Sequence, residues 1–352
     1  MRICVAGGGL AGALLTWRLA ADLPRDWTLD LLVGRGGPDA TSASGGAVRA
    51  YEVGPEQRRL ATESLVELLD SPWLRDRAGV RPVGSVYLRG SPAGLADAAT
   101  EIDAALPGSA SVAGPVELAR LGIAAVPPGA AALVERRAGW YAPGRLRDAV
   151  LADVAARRRV TVRTEPLRAV TPLGDGTLDC GPGSYDLVVL ATGPWTPQVL
   201  RRAGLPTAGY RTRSIQYSVH PATGLPPQFV DELTGLFCRP AGSAELLLGL
   251  PTEGWDVDPG APPADRSLPG TAAGLARRRF PALRVGPPAR RVTASDCYCD
   301  LPGLALRPVP GFPSVLTFTG GAGGSAKTAP AAARLAAAHL LAAGTPDLME
   351  GS

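Results

Sequence analysis

The chain opens on a strand, a turn and a helix that leave little freedom in what it can become. In MRICVAGGGLAGALL, Arg2 to Ala6 read as a short buried strand, and Gly7, Gly9 and Gly12 follow at G-x-G-x-x-G spacing. An apolar helix then runs from about Leu10 to Leu23. Gly7 permits the tight turn, Gly9 lets the backbone approach a pyrophosphate, and Gly12 lets the helix pack on the strand, while the helix N-terminus, with Leu10 and Ala11, faces the negative charge. The spacing alone also arises in ordinary turns of a chain with 44 glycines. Its place after a strand and before a helix makes a dinucleotide the expected ligand. The next strand, Thr28 to Val33, is expected to end in an acid that holds the adenosine ribose, but Gly34 and Arg35 stand there and Asp30 comes too early. Arg35 would suit a 2′-phosphate, so NADP stays a rival.

Composition sets the outer limits. A chain of 352 residues, 45% hydrophobic, is long enough for two packed domains with a real core. The formal net charge of +4 is small and spread out, without a basic run carrying aromatics, so nucleic acid is not an expected partner. Cys4, Cys180, Cys238, Cys297 and Cys299 are odd in number and mostly far apart, which fits neither a disulfide framework nor a metal site. The chain starts directly on its strand and glycines and no apolar run reaches membrane length, so the expectation is a soluble cytoplasmic protein with no membrane partner. Of 36 Lys plus Arg only Lys327 is lysine, and asparagine is absent, a bias that a GC-rich genome explains. Against that background the one lysine is informative.

Gly36 to Val48 is a glycine- and serine-rich loop, carrying Ser44 and Gly45 with Arg49 just beyond, that can pass along a cofactor or serve as a surface linker. Tyr51 to Leu69 alternates at helical spacing, Ser85 to Arg89 reads as a strand, and Ala93 to Leu106 and Pro115 to Leu121 read as helices. This region has no phosphate signature and is assigned to a second, substrate-facing domain. A helix from Arg145 to about Arg157, a strand from Arg159 to Arg163 and a meander turning at Gly174 to Gly176 follow. Tyr185 to Trp195 (YDLVVLATGPW) is then an apolar strand ending in Ala191-Thr192-Gly193, whose small residues leave room for a ligand at the carboxyl end. Gly209 to Pro221 and Leu236 to Leu250 read as antiparallel strands, Thr252 to Ser267 as loop, and Thr271 to Phe280 as a helix before a strand near Val292. The glycine theme returns in a strand from Val315 to Thr319, a loop from Gly320 to Gly324 and an alanine-rich helix from Pro330 to Ala343. A glycine loop feeding a helix N-terminus is a second anion site.

GGGLAG at the start, VVLATGPW in the middle and GGAGGSAKTAP near the end resemble, in order and across the whole chain, the FAD-dependent D-amino-acid oxidase superfamily, particularly its sarcosine-oxidase-like and glycine-oxidase-like branches. The resemblance implies an α/β fold in which a Rossmann-like FAD-binding domain (1–50, 139–205 and 290–352) is interleaved with an α+β substrate-binding domain (51–138 and 206–289) containing a mainly antiparallel sheet. It implies FAD, and oxidation of the C–N bond of a small amine, amino acid or amino-acid-derived biosynthetic intermediate to an imine by hydride transfer to flavin N5. The cofactor would lie along the first glycine loop, Arg35, Ser44 and Gly45, the segment Ala191, Thr192, Gly193 and Trp195, and the last loop with Gly321, Gly323, Gly324, Ser325 and Ala326. Lys327 falls where sarcosine-oxidase-like members pair a lysine with the substrate carboxylate, and Arg49 where they have a flavin-side arginine. Cys297 lies where they carry the cysteine bonded to the flavin 8α-methyl. The following Tyr298-Cys299-Asp300-Leu301 matches the family poorly, so Cys299 competes and a plain buried thiol stays open.

Two departures stand out. Gly34 replaces the ribose acid, and Leu247, in Glu245 to Gly249, stands where sarcosine-oxidase-like members place an oxygen-activating lysine, so an acceptor other than oxygen is open. Tyr217 and His220 are candidates to face the substrate, with a sheet-edge role as the plain alternative for the histidine; Arg239 and Trp255 are similarly placed, and His339, mid-helix, is read as structural. No Ser/His/Asp, metal or phosphotransfer constellation is present. The rival functions are an FAD-dependent dehydrogenase, desaturase or monooxygenase of specialised metabolism, and a flavin-binding protein without redox turnover. No second G-x-G-x-x-G marks a nicotinamide site. A carrier protein or biosynthetic partner suits the reading, and no feature sets an oligomeric state.

Overall fold

Apolar strands of four or five residues, each followed by a glycine turn, have to be covered on both faces, and a parallel sheet between helical layers does this. A computed structural model describes residues 1–34, 39–207, 209–301 and 303–350. Arg35 lies outside the described residues. Among them, one sheet runs in the order Ala305–Val309, Phe312–Thr319, Leu187–Leu190, Arg2–Ala6, Thr28–Leu32, Val160–Arg163. Only the edge strand Ala305–Val309 pairs antiparallel; the other neighbours are parallel. The first strand sits centrally, with Val5 opposite Val189 on one side and Leu31 on the other. Ligands of such sheets sit at the carboxyl ends where the strand order reverses. That point is the end of the first strand.

The first helix, Leu10–Ala21, lies between the last helix, Ser325–Glu350, and the helix Pro143–Ala155, and its Leu14, Leu15 and Leu19 are fully buried against them. The last helix starts five residues earlier than Pro330, because a proline is tolerated there once its missing hydrogen bond is replaced. Tyr141 supplies the replacement, its hydroxyl donating to the Ala326 carbonyl at 2.5 Å. This places Ser325, Ala326 and Lys327 in the first helical turn. The meander Thr171–Pro172, Leu178–Asp179, Ser184–Tyr185 forms a small antiparallel sheet over the other face.

The second sheet is mainly antiparallel, in the order Arg284–Val285, Tyr210–Thr223, Glu245–Gly249, Phe237–Pro240, Gln228–Asp231, Ser85–Arg89, Ala131–Glu135, Ala110–Ala113. The strand Arg290–Cys299, expected with the dinucleotide-binding segments, pairs along Tyr210–Thr223 in this sheet instead. Side chains alternate between its faces. Val86, Leu88, Phe229, Cys238, Leu246 and Leu248 point back against Ala272 and Ala276 of the helix Leu268–Arg279. Gln228, Arg239, Leu247 and Tyr217 occupy the opposite face.

That helix is also held by charge. Arg279 Nε donates to Asp231 Oδ2 at 2.7 Å, with the two side chains 7% and 0% exposed. Asp231 accepts as well from Thr234 Oγ1 at 2.7 Å and from the Leu233 amide at 3.0 Å. Removing one partner of such a pair strands the other in a dry interior. Arg279→Ala is therefore expected to lower the unfolding free energy by about 3–5 kcal/mol. Urea unfolding followed by circular dichroism reads the change, and a loss under about 1 kcal/mol would mean the pair behaves as a surface contact.

Candidate functional site

The glycine turn is built by contacts too close for any side chain. Gly7 has φ +125°, and a Cβ there would stand 2.2 Å from the Ala191 carbonyl oxygen; one at Gly12 would stand 2.0 Å from the Gly7 carbonyl oxygen. Gly12 thus packs helix on strand and does not itself reach the cavity. Gly9 is the helix N-cap and has only Thr41 Oγ1, at 3.4 Å, near its would-be Cβ. Thr41 Oγ1 accepts from the Leu10 amide at 2.9 Å, and the first turn holds no acid. The helix dipole and its unpaired amides therefore open on a neutral, close-approach surface suited to phosphate.

Between the carboxyl ends of the parallel strands and the front face of the second sheet lies a cavity of about 1270 Å³. Its walls bring together distant parts of the chain. Gly7, Gly9, Leu10 and Ala11 line it, with Ser44, Gly45 and Arg49 from the following loop. Ala191, Thr192, Gly193 and Trp195 come from the middle strand, and Gly323, Ser325, Ala326 and Lys327 from the last glycine loop and helix. Cys297, Tyr217, Arg239 and Leu247 line it from the second sheet. Gly321 and Gly324 shape the loop from outside the cavity wall: a Cβ on Gly321 would meet Ser325 Oγ at 2.5 Å, and one on Gly324 would meet Lys327 Cε at 3.3 Å. Ala322 between them has φ +55°, in the left-handed region that glycine favours.

Several expected residues are placed elsewhere. His220 does not face the cavity; it shares a row with Leu246 on the back of the sheet, where Nε2 meets Ser218 Oγ at 2.8 Å and Nδ1 meets the Gly286 carbonyl at 2.9 Å. One residue of strand parity separates it from Tyr217 and Val219. Trp255 is outside the cavity wall, edge-on to Tyr298 and under Arg211 and Arg213. Asp30 is buried and spent on Arg163 Nε at 3.0 Å and the Tyr185 hydroxyl at 2.8 Å.

The charges are arranged differently from the expectation of a free lysine. Lys327 Nζ lies 2.5 Å from Glu52 Oε1, and Arg49 donates to the same oxygen at 3.0 Å. Burial pulls the Lys327 ammonium below its ordinary range, Arg49 adds to this, and Glu52 opposes it. Burial raises the Glu52 carboxyl, but Lys327 and Arg49 outweigh it and hold the group below the usual carboxylate range. Behind them Glu135 is fully buried and accepts from the Ala50 and Tyr51 amides at 2.7 and 2.9 Å; burial nonetheless pushes it up. Arg239 is pulled down to about 10 by burial, lies over the Trp140 ring and donates to the Gly45 and Pro240 carbonyls. Cys297 is buried, its thiol pushed up to about 12 by burial.

Three groups at the cavity or just behind its wall escape a reading of the sequence. Glu52 is one, and its only linear signal is its spacing of three from Arg49. Asp296 lines the cavity beside Cys297, has no hydrogen-bond partner among the described residues, and is pushed up to about 7 by burial. Gln228, 1% exposed, lines it with its Oε1 unpartnered. A polar atom buried without a partner, as Gln228 Oε1 is, is uncommon in folded proteins and points to a ligand.

Comparison with known proteins agrees with this architecture. Residues 2–339 match the family of FAD dependent oxidoreductases denoted DAO. A search of curated proteins by sequence returned no match. Among solved structures, glycine oxidase from Geobacillus kaustophilus superposes with a TM-score of 0.73 at 18% identity, over 97% of this chain and 95% of that one. L-proline dehydrogenase from P. horikoshii gives 0.75 at 16%, over 98% and 95%. FAD-bound L-alpha-glycerophosphate oxidase from Mycoplasma pneumoniae gives 0.72 at 16%, over 97% and 94%.

The Asp296 carboxyl makes a prediction about pH. An unfolded aspartate titrates near about 3.9. Because the folded group holds its proton up to about 7, the native state binds more protons than the unfolded one between these values. Its contribution to stability falls as pH rises through that window and is level above it. Asp296→Asn should flatten this slope, so that the gap in thermal midpoint between variant and wild type widens in the variant's favour from pH 5 to pH 8. An equal gap at both pH values would show that the carboxyl is ionised throughout.

Proposed function

The chain belongs to the family of FAD dependent oxidoreductases, and from that premise we propose that it oxidises the C–N bond of a small amine or amino acid to an imine. One observation carries the reading. A single cavity joins the first glycine loop, the end of the Ala191-Thr192-Gly193 strand, the last glycine loop and the front of the antiparallel sheet. It exceeds the roughly 300–1,000 Å³ of ordinary small-molecule pockets, as a dinucleotide together with a substrate would require. The NADP reading that Arg35 kept open gives way to FAD, which is the family's cofactor.

The residues fit that cofactor. The cradle of Gly7 and Gly9 at the N-terminus of Leu10–Ala21 suits the pyrophosphate, and the turn of Gly323, Ser325 and Ala326 at the N-terminus of Ser325–Glu350 suits an electron-rich ring edge. We assign this role to the segments 1–50, 139–205 and 290–352, and the substrate wall to 51–138 and 206–289. When bound, FAD supplies the two-electron acceptor for hydride from the carbon next to nitrogen. Tyr217, Phe237 and Leu247 give the substrate wall an apolar face that excludes water. Asp296 holds its proton near neutrality and is placed to exchange one with a bound base. Cys297 is the candidate for a covalent bond to the flavin, with packing as its other role.

A dehydrogenase is favoured over an oxidase by Leu247. It is buried at the cavity wall, where the sarcosine-oxidase-like pattern has a lysine, so that position itself offers no charge to the one that builds on oxygen, and its cross-strand neighbour Arg239 is tied to the Gly45 and Pro240 carbonyls. A partner or carrier protein would then take the electrons or deliver the substrate. No helix among the described residues is long and apolar enough to cross a membrane.

Purified protein should be yellow, and anaerobic mixing with its amine should bleach the flavin band. The rate should rise with pH through the amine pKa, because a neutral nitrogen is needed to push the hydride out. Bleaching by 2-hydroxy acids or glycerol phosphates in place of amines would reject the C–N reading. Acid precipitation decides the role of Cys297: a yellow pellet that turns white in Cys297→Ser identifies the attachment, and a white pellet in wild type assigns the thiol to packing. Reoxidation of the reduced protein by air should be slow and should quicken at least tenfold in Leu247→Lys.

A further inference from the structure

Lys327 and Arg49 both reach the cavity wall, yet their charges are already answered from behind. Glu52, which does not line the cavity, takes Lys327 Nζ at 2.5 Å and Arg49 at 3.0 Å on one oxygen. Its backbone is fixed. The segment around it is pinned by the Ala50 and Tyr51 amides to Glu135, and by Arg58, which donates to the Glu52 carbonyl at 3.0 Å. Arg49 is further held by the Tyr51 carbonyl at 3.1 Å and by the Tyr87 ring at 5.0 Å.

Of the other described cations of the wall, Arg147 is answered by an acid, while Arg213 and Arg239 are held in place by neutral carbonyls and rings. Arg213 donates to the Thr252 carbonyl at 2.9 Å and lies over Trp255. Arg239 is bound to two carbonyls and to Trp140. Arg147 pairs with Asp39 at 3.1 Å, and Arg202 is exposed. Among the described residues, the buried Gln228 amide oxygen and the partly exposed Asp296 carboxyl face the cavity without a hydrogen-bond partner from the protein.

We propose that Glu52 replaces the substrate's own carboxylate at Lys327 and Arg49, so that the substrate is an amine, or an amino acid whose carboxyl is masked as an amide or ester. A free carboxylate would have to sit beside Glu52 and compete with it for the same two cations, and like charges at that range repel strongly in a partly buried site. A substrate rich in N–H donors and without a carboxylate meets no such opponent. It finds Gln228 and Asp296 open. This rests on the C–N oxidation proposed above, and it can fail separately from it.

The test is a titration of the holoenzyme with propionate and with propionamide, followed by the flavin difference spectrum, in wild type and in Glu52→Gln. The variant frees both cations while keeping the side chain's size, and its flavin content and thermal midpoint show whether it is folded. Propionate should bind Glu52→Gln at least tenfold more tightly than wild type, and Lys327→Met in the Glu52→Gln background should remove the gain. Propionamide should be indifferent to both changes. Equal or tighter propionate binding by wild type overturns the proposal, as does a folded Glu52→Gln that gains nothing. In a second experiment, amino acids and their amides are compared as anaerobic reductants of wild type. The amides should act at least tenfold faster, and faster reduction by the free acids overturns the proposal. Reduction by neither series counts against the C–N reading itself, while the propionate titration still judges the role of Glu52.

Discussion

The structure depends on one close approach of three backbones. At the end of the first strand, Gly7, Gly12 and the Ala191 carbonyl come within distances that no Cβ tolerates, which locks the first strand to the middle strand and seats the first helix over both. With these three segments in register, their carboxyl ends open to the same side. The helix N-terminus then faces a space that side chains cannot fill, and close packing elsewhere makes such a space costly unless a ligand occupies it. The last glycine loop repeats the device. Its strand, Phe312–Thr319, pairs with Leu187–Leu190 and delivers a second helix N-terminus to the same cavity.

The second sheet supplies the opposite wall, and strand parity governs what it offers. Tyr217, Arg239, Leu247 and Gln228 fall on the front, while His220 and Leu246 fall on the back against the helix Leu268–Arg279. Its long strand Tyr210–Thr223 also carries Arg290–Cys299 along one edge, which is how Asp296 and Cys297 reach the cavity although they precede the last glycine loop by more than twenty residues. The two sheets thus share the walls of one cavity. The six strands of the first sheet come from 2–32, 160–190 and 305–319, while 290–299 belongs to the second.

Electrostatics sets the character of the cavity more than its size does. Burying an ammonium without a partner costs several kcal/mol, and the fold meets this by placing Glu52 against Lys327 and Arg49. Glu135 completes the cluster from deeper in the sheet, fixed by backbone amides. A cavity built this way is nearly neutral at its lysine and arginine end. Its open groups are the Gln228 amide oxygen, an acceptor, and the Asp296 carboxyl, which donates while it holds its proton.

How much of this could be read from the chain follows from the range of the forces involved. Local patterns were legible: alternating and continuous apolar runs marked most strands and helices, and the glycine spacings marked both turns, because backbone conformation and the need to admit phosphate act over a few residues. The family was legible for the same reason, since its motifs are turns. Helix starts were less so; the last helix begins at Ser325 rather than Pro330 because a tyrosine 185 residues earlier satisfies the Ala326 carbonyl. The uses of individual side chains were decided only by the tertiary structure. The single lysine stood out in the composition, but that its charge is taken by Glu52, that Asp296 lines the cavity without a protein partner, and that His220 faces away from the cavity are consequences of packing and strand register. The sequence by itself determined where the chain could bend close to a dinucleotide, because that is a property of short runs of backbone. Which charges remain free to meet a substrate was settled by the folded chain alone, because a charge is answered by whatever the fold brings within a few ångströms of it, however distant in sequence.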